Sequence, residues 1–238
     1  MDTKATSFSP GHYDELILGW FNQWNGRYDA LDAFLKYSEG VYVKALPFML
    51  VVWALWFLPS SQEERTATRE RLIAVLLTTF PIIAITRALA NFLPYSARPI
   101  HSEGVFVTLR AGQSRMELDG WNSMPSDHAS LFIGLAVGIL LVDRRFGVLA
   151  LFWAVFAVSL PRIVSGFHWP SDILAGALIG GGLALVLVPL LTRFARWARI
   201  VPFFQAREAL CYPLLFLATF EIAQMFHATR AVVRLITE

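Results

Sequence analysis

Long apolar stretches recur along most of the chain, and they restrict its fold more than any other feature of the sequence. A helix needs about 20 mostly apolar residues to cross the hydrocarbon core of a bilayer. Six stretches reach or approach this length, at roughly 42–58, 72–93, 128–142, 146–164, 172–192 and 209–228. Charged residues make up only 16% of the chain, against about 25% in soluble domains. The sequence therefore predicts an all-α integral membrane protein, a six-helix transmembrane bundle.

The rest of the chain points to one domain, residues 1–238, in which a six-span core at 42–228 follows an N-terminal segment at 1–41. Apolar residues between 13 and 38 recur at helical spacing among many charges, which is typical of amphipathic helices lying on the membrane interface. A formal net charge of +2 without a long basic block argues against a nucleic-acid partner. The single cysteine excludes a disulfide framework. The oligomeric state is left open.

Arginines are concentrated in the links after the first, third and fifth predicted spans. Short cytoplasmic links of membrane proteins carry an excess of positive residues. These three links should therefore face the cytoplasm of a bacterial inner membrane, and the other links should face the periplasm. The arginines concerned are Arg65, Arg69, Arg71, Arg144, Arg145, Arg193, Arg196, Arg199 and Arg207. Arg98 and Arg162 lie in the outward links, against this rule, which favours a functional reason for their position.

Three polar clusters fall on the predicted outward side. They are "RALANFLPYSARP" at 87–99, "MPSDHAS" at 124–130 and "RIVSGFHWPSDILAG" at 162–176. Guanidinium groups donate paired hydrogen bonds to phosphate, so Arg98 and Arg162, together with the hydroxyl of Ser126, suit a tetrahedral oxyanion. Taken alone, the two arginines also fit a role as interfacial anchors.

The same clusters contain two histidines and a carboxylate that suit phosphoryl transfer. A neutral imidazole can attack phosphorus when its second nitrogen donates to a carboxylate. Asp172 follows His168 by four residues, one helical turn, and can serve as that carboxylate. His128, in the second cluster, can protonate the departing oxygen. The chemistry needs two histidines with different partners, and the sequence has two on one side of the membrane.

These motifs resemble those of the type 2 phosphatidic acid phosphatase (PAP2) superfamily. The third cluster resembles its signature of Arg, five residues, His, three residues and Asp. The second resembles its Pro-Ser-Gly-His motif, and "ARP" resembles the end of its Lys-x6-Arg-Pro motif. The resemblance implies a lipid phosphatase that uses neither a metal ion nor a cofactor. His168 would form a phosphohistidine, Asp172 would orient it, and His128 would be the general acid. The residues that would hold the phosphate are Arg98, Arg162 and Ser126.

Two positions depart from the family pattern. Asn91 stands where the family has lysine, and Asp127 stands where it has glycine, giving a "PSDH" variant that resembles bacterial undecaprenyl-diphosphate phosphatases of the superfamily. We expect Asp127 to contact the phosphate through its backbone N–H while its carboxylate caps the helix. Arg87 shares a helix face with Asn91 and is expected to replace the lysine, with Asn91 donating a neutral hydrogen bond. The alternative is that Arg87 pairs with another buried polar group, such as Glu221, which would leave the phosphate short of one cation.

The sequence thus predicts a membrane lipid phosphatase that converts undecaprenyl diphosphate to undecaprenyl phosphate and inorganic phosphate at the outer leaflet. Its partners would be this lipid substrate and the surrounding membrane lipids. Two alternatives stay open. One is a phospholipid phosphatase acting on phosphatidylglycerophosphate or phosphatidic acid. The other is a catalytically inactive protein that binds or transports a polyprenyl lipid.

Overall fold

The computed structural model describes residues 11–227 and residue 229. Within these residues every regular element is helical and no strand occurs, which confirms the predicted all-α class. A 3₁₀ turn at Pro99–His101 lies in the link after α5, and a π-helical segment at Ala154–Ser159 joins α7 to α8. The α-helices are α1 (His12–Asn22), α2 (Asp29–Ser38), α3 (Val41–Lys44), α4 (Leu46–Phe57), α5 (Gln62–Phe92), α6 (Asp127–Val142), α7 (Arg144–Trp153), α8 (Leu160–Val164), α9 (Pro170–Trp197), α10 (Ile200–Ala206) and α11 (Glu208–Ala223).

Three helical stretches are long and apolar enough to cross a membrane, namely Gln62–Phe92, Arg144–Val164 and Pro170–Trp197. A fourth candidate exists if α10 and α11, which are bent by 120° relative to each other, form one broken span. α4 and α6 are apolar but have only 12 and 16 residues, fewer than the about 20 needed for a straight crossing. The described residues therefore contain three or four candidate spans, and the count of six stays a prediction.

α5 begins at Gln62 rather than near residue 72, because Ser61 caps it and its first turns are polar. The Ser61 hydroxyl oxygen accepts a hydrogen bond from the backbone N–H of Glu64 at 3.2 Å. A hydropathy pattern does not reveal helical turns that lie outside the apolar region. Arg69, assigned by the sequence to a cytoplasmic link, is instead buried in this helix. Its Nε donates to the carbonyl of Trp56 at 3.2 Å, and its guanidinium lies 5.0 Å from the Trp56 ring centroid.

The N-terminal helices pack against the rest of the chain through polar side chains. Asn22, in the last turn of α1, donates to the carbonyls of Thr108 at 3.1 Å and Val164 at 2.8 Å. Ser171, in the first turn of α9, donates from both its backbone N–H and its hydroxyl to Asp14, each at 2.8 Å. These contacts hold α1 against the beginning of α9. The interfacial position of this segment stays a prediction, and its residues 1–10 lie outside the described part of the chain.

α6 and α9 pack closely because two glycines of α9 face the backbone of α6. A Cβ atom at Gly176 would lie 2.5 Å from the carbonyl oxygen of Ser126, and one at Gly180 would lie 1.9 Å from that of Ser130. Any larger residue would force the helices apart, and small residues serve this purpose in membrane helix pairs. The backbone N–H of Ser126 also donates to the carbonyl of Asp172 at 3.1 Å. The beginnings of the two helices, which carry the predicted histidine motifs, are thus fixed side by side.

The long link at 93–126 folds over the same end of the bundle and is tied to it by arginines. The buried guanidinium of Arg110 donates to the hydroxyl of Ser165 at 2.9 Å and forms an ion pair with Glu39. Within the link, Arg115 donates to the carbonyl of Ile100 at 3.0 Å. These bonds order a segment that has only one short helical turn of its own, and the link forms part of the wall of the candidate site.

Candidate active site

A cavity of about 470 Å³ opens where α5 ends and where α6 and α9 begin. Its walls come from the N-terminal helices, the long link, the predicted motifs and the turn after α11. The lining residues are Glu39, Lys44, Arg87, Arg98, Glu117, Leu118, Trp121, Asn122, Pro125, Asp127, His128, Arg162, Phe167, His168, Gln224, Met225 and His227. Six of the nine predicted site residues are among them. The three that are not are Asn91, Ser126 and Asp172.

His168 faces the cavity and is backed by a buried carboxylate. Its Nδ1 lies 3.4 Å from Oδ2 of Asp172, which is completely buried. Its Nε2 lies 3.1 Å from Nη1 of Arg98. A guanidinium group can only donate, so Nε2 accepts and carries the lone pair, while Nδ1 carries the proton that points to Asp172. This is the tautomer that a nucleophilic imidazole needs.

Asp172 is held in place by the beginning of α9 and by a serine of the long link. Its Oδ2 accepts a hydrogen bond from the backbone N–H of Trp169 at 2.8 Å, as an acidic residue in the first turn of a helix often does. The hydroxyl of Ser123 donates to the same oxygen. One carboxylate therefore stabilises the helix start and orients His168. Sequence reasoning missed Ser123, since no spacing rule links it to a residue 49 positions later.

Burial keeps the imidazole of His168 neutral. Removal from water lowers the pKa of His168 to about 4, and the nearby positive charge of Arg98 acts in the same direction. The hydrogen bond to Asp172 and its charge raise this pKa, but by less than the other two effects lower it. At neutral pH the side chain is thus unprotonated and has a lone pair available for attack on phosphorus.

Arg98 lies beside His168 and is ordered by backbone carbonyls. Nη1 donates to the carbonyl of Phe167 at 2.7 Å, and Nη2 donates to that of Asn122 at 3.3 Å. Burial, followed by the charge of Arg162, lowers the pKa of Arg98 to about 10, so the group stays positive at neutral pH. The result is a fixed cation next to the position where a phosphoryl group must lie to be attacked by His168.

His128 and Arg162 form a second pair on the cavity wall. Nη2 of Arg162 donates to Nε2 of His128 at 2.6 Å. Each histidine therefore has an arginine N–H directed at its Nε2. Because phosphate oxygens accept charge-assisted hydrogen bonds from guanidinium groups, a bound phosphate can take over both arginines and release both Nε2 atoms. The two predicted histidines and two predicted arginines are brought together as the sequence motifs require.

Ser126 is buried and does not reach the cavity. Its side chain is the N-cap of α6 and accepts from the backbone N–H of Ala129 at 3.4 Å. The expectation that Asp127 caps this helix is therefore wrong, since Ser126 fills that position. The structure places the hydroxyl of Ser126 behind the cavity wall, so its predicted contact with phosphate would need the side chain to move.

Asp127 forms an ion pair with Arg87 instead of capping α6. The guanidinium of Arg87 also lies over the ring of Trp121, 4.9 Å from its centroid. Both charged residues line the cavity. Arg87, which was expected to replace the missing lysine, is thus the direct partner of Asp127, one of the two departures from the family pattern. The positive charge of Arg87 is largely offset by Asp127, so Arg87 is a weaker substitute for the family lysine than its position alone suggests.

Asn91 and Glu221 are placed away from these interactions. Asn91 lies in the last turn of α5 with an exposed side chain and does not line the cavity, so the structure gives it no contact with a bound phosphate. The Oε2 of Glu221 accepts hydrogen bonds from the backbone N–H of Thr229 at 3.2 Å and from its hydroxyl at 2.7 Å. Arg87 thus pairs with another polar side chain, as the alternative expected, but that side chain is Asp127 and not Glu221.

Several lining residues have no counterpart in the predicted motifs. Lys44 comes from α3, Glu117 and Trp121 come from the long link, and His227 follows α11. Only the packing of distant segments could bring them together. Among residues 11–227 no group of three or more His, Cys, Asp or Glu side chains is placed to hold a metal ion. The cations that face the cavity are guanidinium and ammonium groups, which are suited to binding an oxyanion.

Comparison with known proteins shows what this part of the chain is similar to. Residues 95–196 match the model of the PAP2 superfamily. A bacitracin transport permease protein, BcrC, of Bacillus licheniformis is 34% identical over 116 residues, which are 49% of this chain and 54% of BcrC. YbjG of Escherichia coli (strain K12), provisionally named an undecaprenyl-diphosphatase, is 23% identical over 138 residues, 58% of this chain and 62% of YbjG.

A third relative is the lipid A 4'-phosphatase of Bacteroides thetaiotaomicron, which is 38% identical over 64 residues, 26% of this chain and 28% of that protein. The chain spans little more than half the length of the first two relatives. No solved structure matches it significantly. The matched residues 95–196 include Arg98, Asp127, His128, Arg162 and His168 of the cavity, whereas Arg87 lies before them. This part of the chain is therefore similar to the PAP2 superfamily.

Proposed function

We propose that this protein is a membrane phosphatase that removes the terminal phosphate of a lipid diphosphate. The observation that carries the proposal is the arrangement of two histidines and two arginines on one cavity wall, with His168 backed by a buried carboxylate. Arg98 and Arg162 would bind the oxygens of the phosphoryl group and stabilise the charge that develops on them in the transition state. Buried arginines are costly in a bundle that crosses a membrane, which favours a functional reason for this arrangement.

The proposed reaction takes place in two steps. The lone pair of His168 Nε2 attacks the terminal phosphorus, and the bond from that phosphorus to the bridging oxygen breaks. The bonding electrons stay on the bridging oxygen, which becomes a terminal oxygen of the lipid monophosphate. Asp172 stabilises the positive charge on the imidazole ring. Water then attacks the phosphohistidine, His128 accepts a proton from that water, and inorganic phosphate and free His168 are released.

The substrate that these observations support best is undecaprenyl diphosphate. The name of YbjG refers to this lipid, and the PSDH variant at Pro125–His128 resembles enzymes that act on it. The leaving group from a diphosphate is a lipid monophosphate, which needs less protonation than an alkoxide. His128 Nε2 accepts a hydrogen bond from Arg162, so this nitrogen carries no proton that it could donate. A diphosphate, whose leaving group needs little protonation, is consistent with this state of His128.

A direct test is phosphate release by the purified protein in detergent from a panel of lipids. The panel contains undecaprenyl diphosphate, undecaprenyl phosphate, phosphatidylglycerophosphate, phosphatidic acid and lipid A. We expect the highest kcat/KM with undecaprenyl diphosphate. Absence of phosphate release from every lipid in the panel would contradict the phosphatase assignment. It would favour a lipid-binding or transport role, in line with the permease name of BcrC.

A second candidate function is hydrolysis of a lipid A phosphate. Two relatives are named lipid A phosphatases, one acting at the 4' position and one at the 1 position. The same histidines and arginines would serve this reaction, but His128 would then have to protonate a sugar hydroxyl oxygen. Preferential phosphate release from lipid A in the panel would support this candidate over the diphosphatase.

We further propose that the active site faces the periplasm from the inner membrane. The cavity lies at the end of the bundle where α5 ends, whereas the arginine-rich segments lie around the beginning of α5 and the end of α9. Positive residues near span ends favour the cytoplasmic side. The site would then meet lipid head groups of the outer leaflet.

A further inference from the structure

Asn122 lies near the end of the long link, between the first and second polar clusters, and its side chain uses its full hydrogen-bonding capacity. Its Oδ1 accepts from the backbone N–H groups of Ser96 at 3.0 Å and Met124 at 3.3 Å. Its Nδ2 donates to the carbonyls of Ala90 at 2.8 Å and Pro94 at 3.4 Å. An amide side chain has two donor hydrogens and accepts at two lone pairs. Although Asn122 lines the cavity, both of its donor hydrogens are therefore already used within the protein.

The contact between Asn122 and Ala90 attaches the link to the end of α5. The last carbonyls of a helix lack partners within the helix. If α5 continued, the N–H of residue 94 would donate to the carbonyl of Ala90, but residue 94 is proline and has no N–H. Ala90 is buried, and a buried carbonyl is costly to leave unpaired. The amide of Asn122 takes the place of the missing N–H.

The same residue holds the segment that carries Arg98. Ser96 is joined to the link twice, because its N–H donates to the side chain of Asn122 and its carbonyl accepts from the N–H of Ser123 at 2.9 Å. Two residues further on, Nη2 of Arg98 donates to the backbone carbonyl of Asn122 at 3.3 Å. Nη1 of the same guanidinium lies 3.1 Å from Nε2 of His168. The backbone before Arg98 and its guanidinium are thus both held by this part of the link.

The next residue connects Asn122 to the carboxylate behind His168. Ser123 is completely buried, and its hydroxyl donates to Oδ2 of Asp172. Asn122 and Ser123 together therefore connect the groups on the two sides of the imidazole, with Arg98 at Nε2 and Asp172 at Nδ1. A misplacement of about 1 Å between reacting groups can lower a rate by about a hundredfold. The geometry that the reaction needs thus depends on these two residues of the link.

On the basis of the proposed phosphatase function, we propose that Asn122 is a positioning residue that holds Arg98 at the distance from His168 that attack on phosphorus requires. Asn122 acts through Arg98 and takes no part in bond making or bond breaking. The N–H groups of Arg98 bind the charge that develops on the phosphoryl oxygens in the transition state. Loss of the Asn122 side chain should therefore lower kcat more than it raises KM.

The test measures the effect of Asn122→Ala on kcat and KM in two backgrounds, with undecaprenyl diphosphate in detergent. In the wild-type background we expect kcat/KM to fall by about tenfold to a hundredfold. Arg98→Lys keeps the positive charge but lacks the planar guanidinium through which Asn122 acts. In that background Asn122→Ala should cost less than about threefold, since residues that act through one another are not additive. An equal loss in both backgrounds, or a loss below about threefold in the wild type, would overturn the proposal.

The matched control is Gln23→Ala, which removes an amide elsewhere in the molecule. Gln23 is exposed directly after α1 and does not line the cavity, so its replacement should leave kcat and KM unchanged. Asn122→Ser is a milder variant, because a hydroxyl can keep one of the four hydrogen bonds, and its loss should lie between those of the wild type and Asn122→Ala. It takes the place of Asn122→Ala in both backgrounds if the alanine variant does not fold.

A second measurement keeps this proposal separate from the proposed function. Binding of inorganic orthovanadate, a tetrahedral oxyanion like phosphate, needs no turnover and is measured by calorimetry, together with thermal unfolding in detergent. Asn122→Ala should weaken vanadate binding by about tenfold. A lower unfolding temperature with unchanged vanadate affinity would show a purely structural role and overturn the proposal. Weakened vanadate binding in the variant, without phosphate release by the wild-type protein, would instead overturn the phosphatase assignment and leave the positioning role standing.

Discussion

Replacement of Asp172 by asparagine tests how the candidate nucleophile is oriented. The carboxylate oxygen Oδ2 accepts from His168, Ser123 and the backbone of Trp169. Asparagine keeps the shape and one acceptor oxygen, but its NH₂ group cannot accept the proton on His168 Nδ1. The imidazole can then move its proton to Nε2, and the lone pair needed for attack is lost.

The expected loss of activity follows from these contacts. A hydrogen bond to a charged group contributes about 1.5–3 kcal/mol, which alone corresponds to about ten- to a hundredfold in rate. Asp172 also stabilises the positive charge that develops on the ring, and loss of the equivalent carboxylate in a Ser-His-Asp triad lowers kcat by about 10⁴. We therefore expect Asp172→Asn to lower kcat by about 10²- to 10⁴-fold. Ser123→Ala removes only one donor to the carboxylate and should cost about three- to tenfold.

The assay is kcat for phosphate release as a function of pH, with thermal unfolding in detergent as the control for folding. Asp172 raises the pKa of His168, so its removal should move the acidic limb of the profile to lower pH. Purely structural damage would lower the whole profile without moving this limb. A folded Asp172→Asn protein with kcat within about threefold of the wild type would refute the orienting role.

Three other predictions follow from the same contacts. Arg87→Ala removes the guanidinium that faces the carboxylate of Asp127 at the cavity and should lower kcat/KM about tenfold, and adding Asp127→Asn should restore part of it; an unchanged single variant would show that the pair does not affect phosphate binding. The pKa of His168 is lowered to about 4. After correction for substrate ionisation, kcat/KM should therefore stay level as the pH falls from 7 to about 5 and decline only near 4. A decline near the ordinary histidine pKa of about 6.5 would contradict the neutral, buried imidazole. The periplasmic orientation can be tested in intact cells after the native cysteine has been replaced by serine. An impermeant thiol reagent should label Glu103→Cys but not Glu63→Cys, and both positions are exposed. The reverse labelling pattern would overturn the periplasmic orientation.

The motifs predicted the centre of the site because their spacing fixes local geometry. Four residues span one helical turn, so the spacing alone places Asp172 beside His168. The motif clusters lie at the ends of long apolar helices, and such helices must align side by side in a bilayer. That is sufficient to bring Arg98, Arg162 and His128 to the same end of the bundle.

The periphery of the site could not be predicted in the same way. Arg87 and Asn91 share a helix face in a helical projection, but four residues also correspond to about 6 Å along the axis. The long side chain of Arg87 reaches the cavity, whereas the short side chain of Asn91 lies exposed in the last turn of α5. Lys44 and Ser123 reach the site through the packing of α3 and of an irregular link. No periodicity in the sequence encodes those contacts.

The central claim is that His168 carries the phosphoryl group during the reaction. Its most direct test is rapid quenching in alkali, which preserves phosphohistidine, after mixing the enzyme with a lipid diphosphate labelled with ³²P on the terminal phosphate. The account predicts labelled protein within one turnover, with the label on the peptide that spans residues 162–176, and no label on His168→Ala. Turnover by the wild-type protein without any bound label, or label retained by His168→Ala, would contradict it.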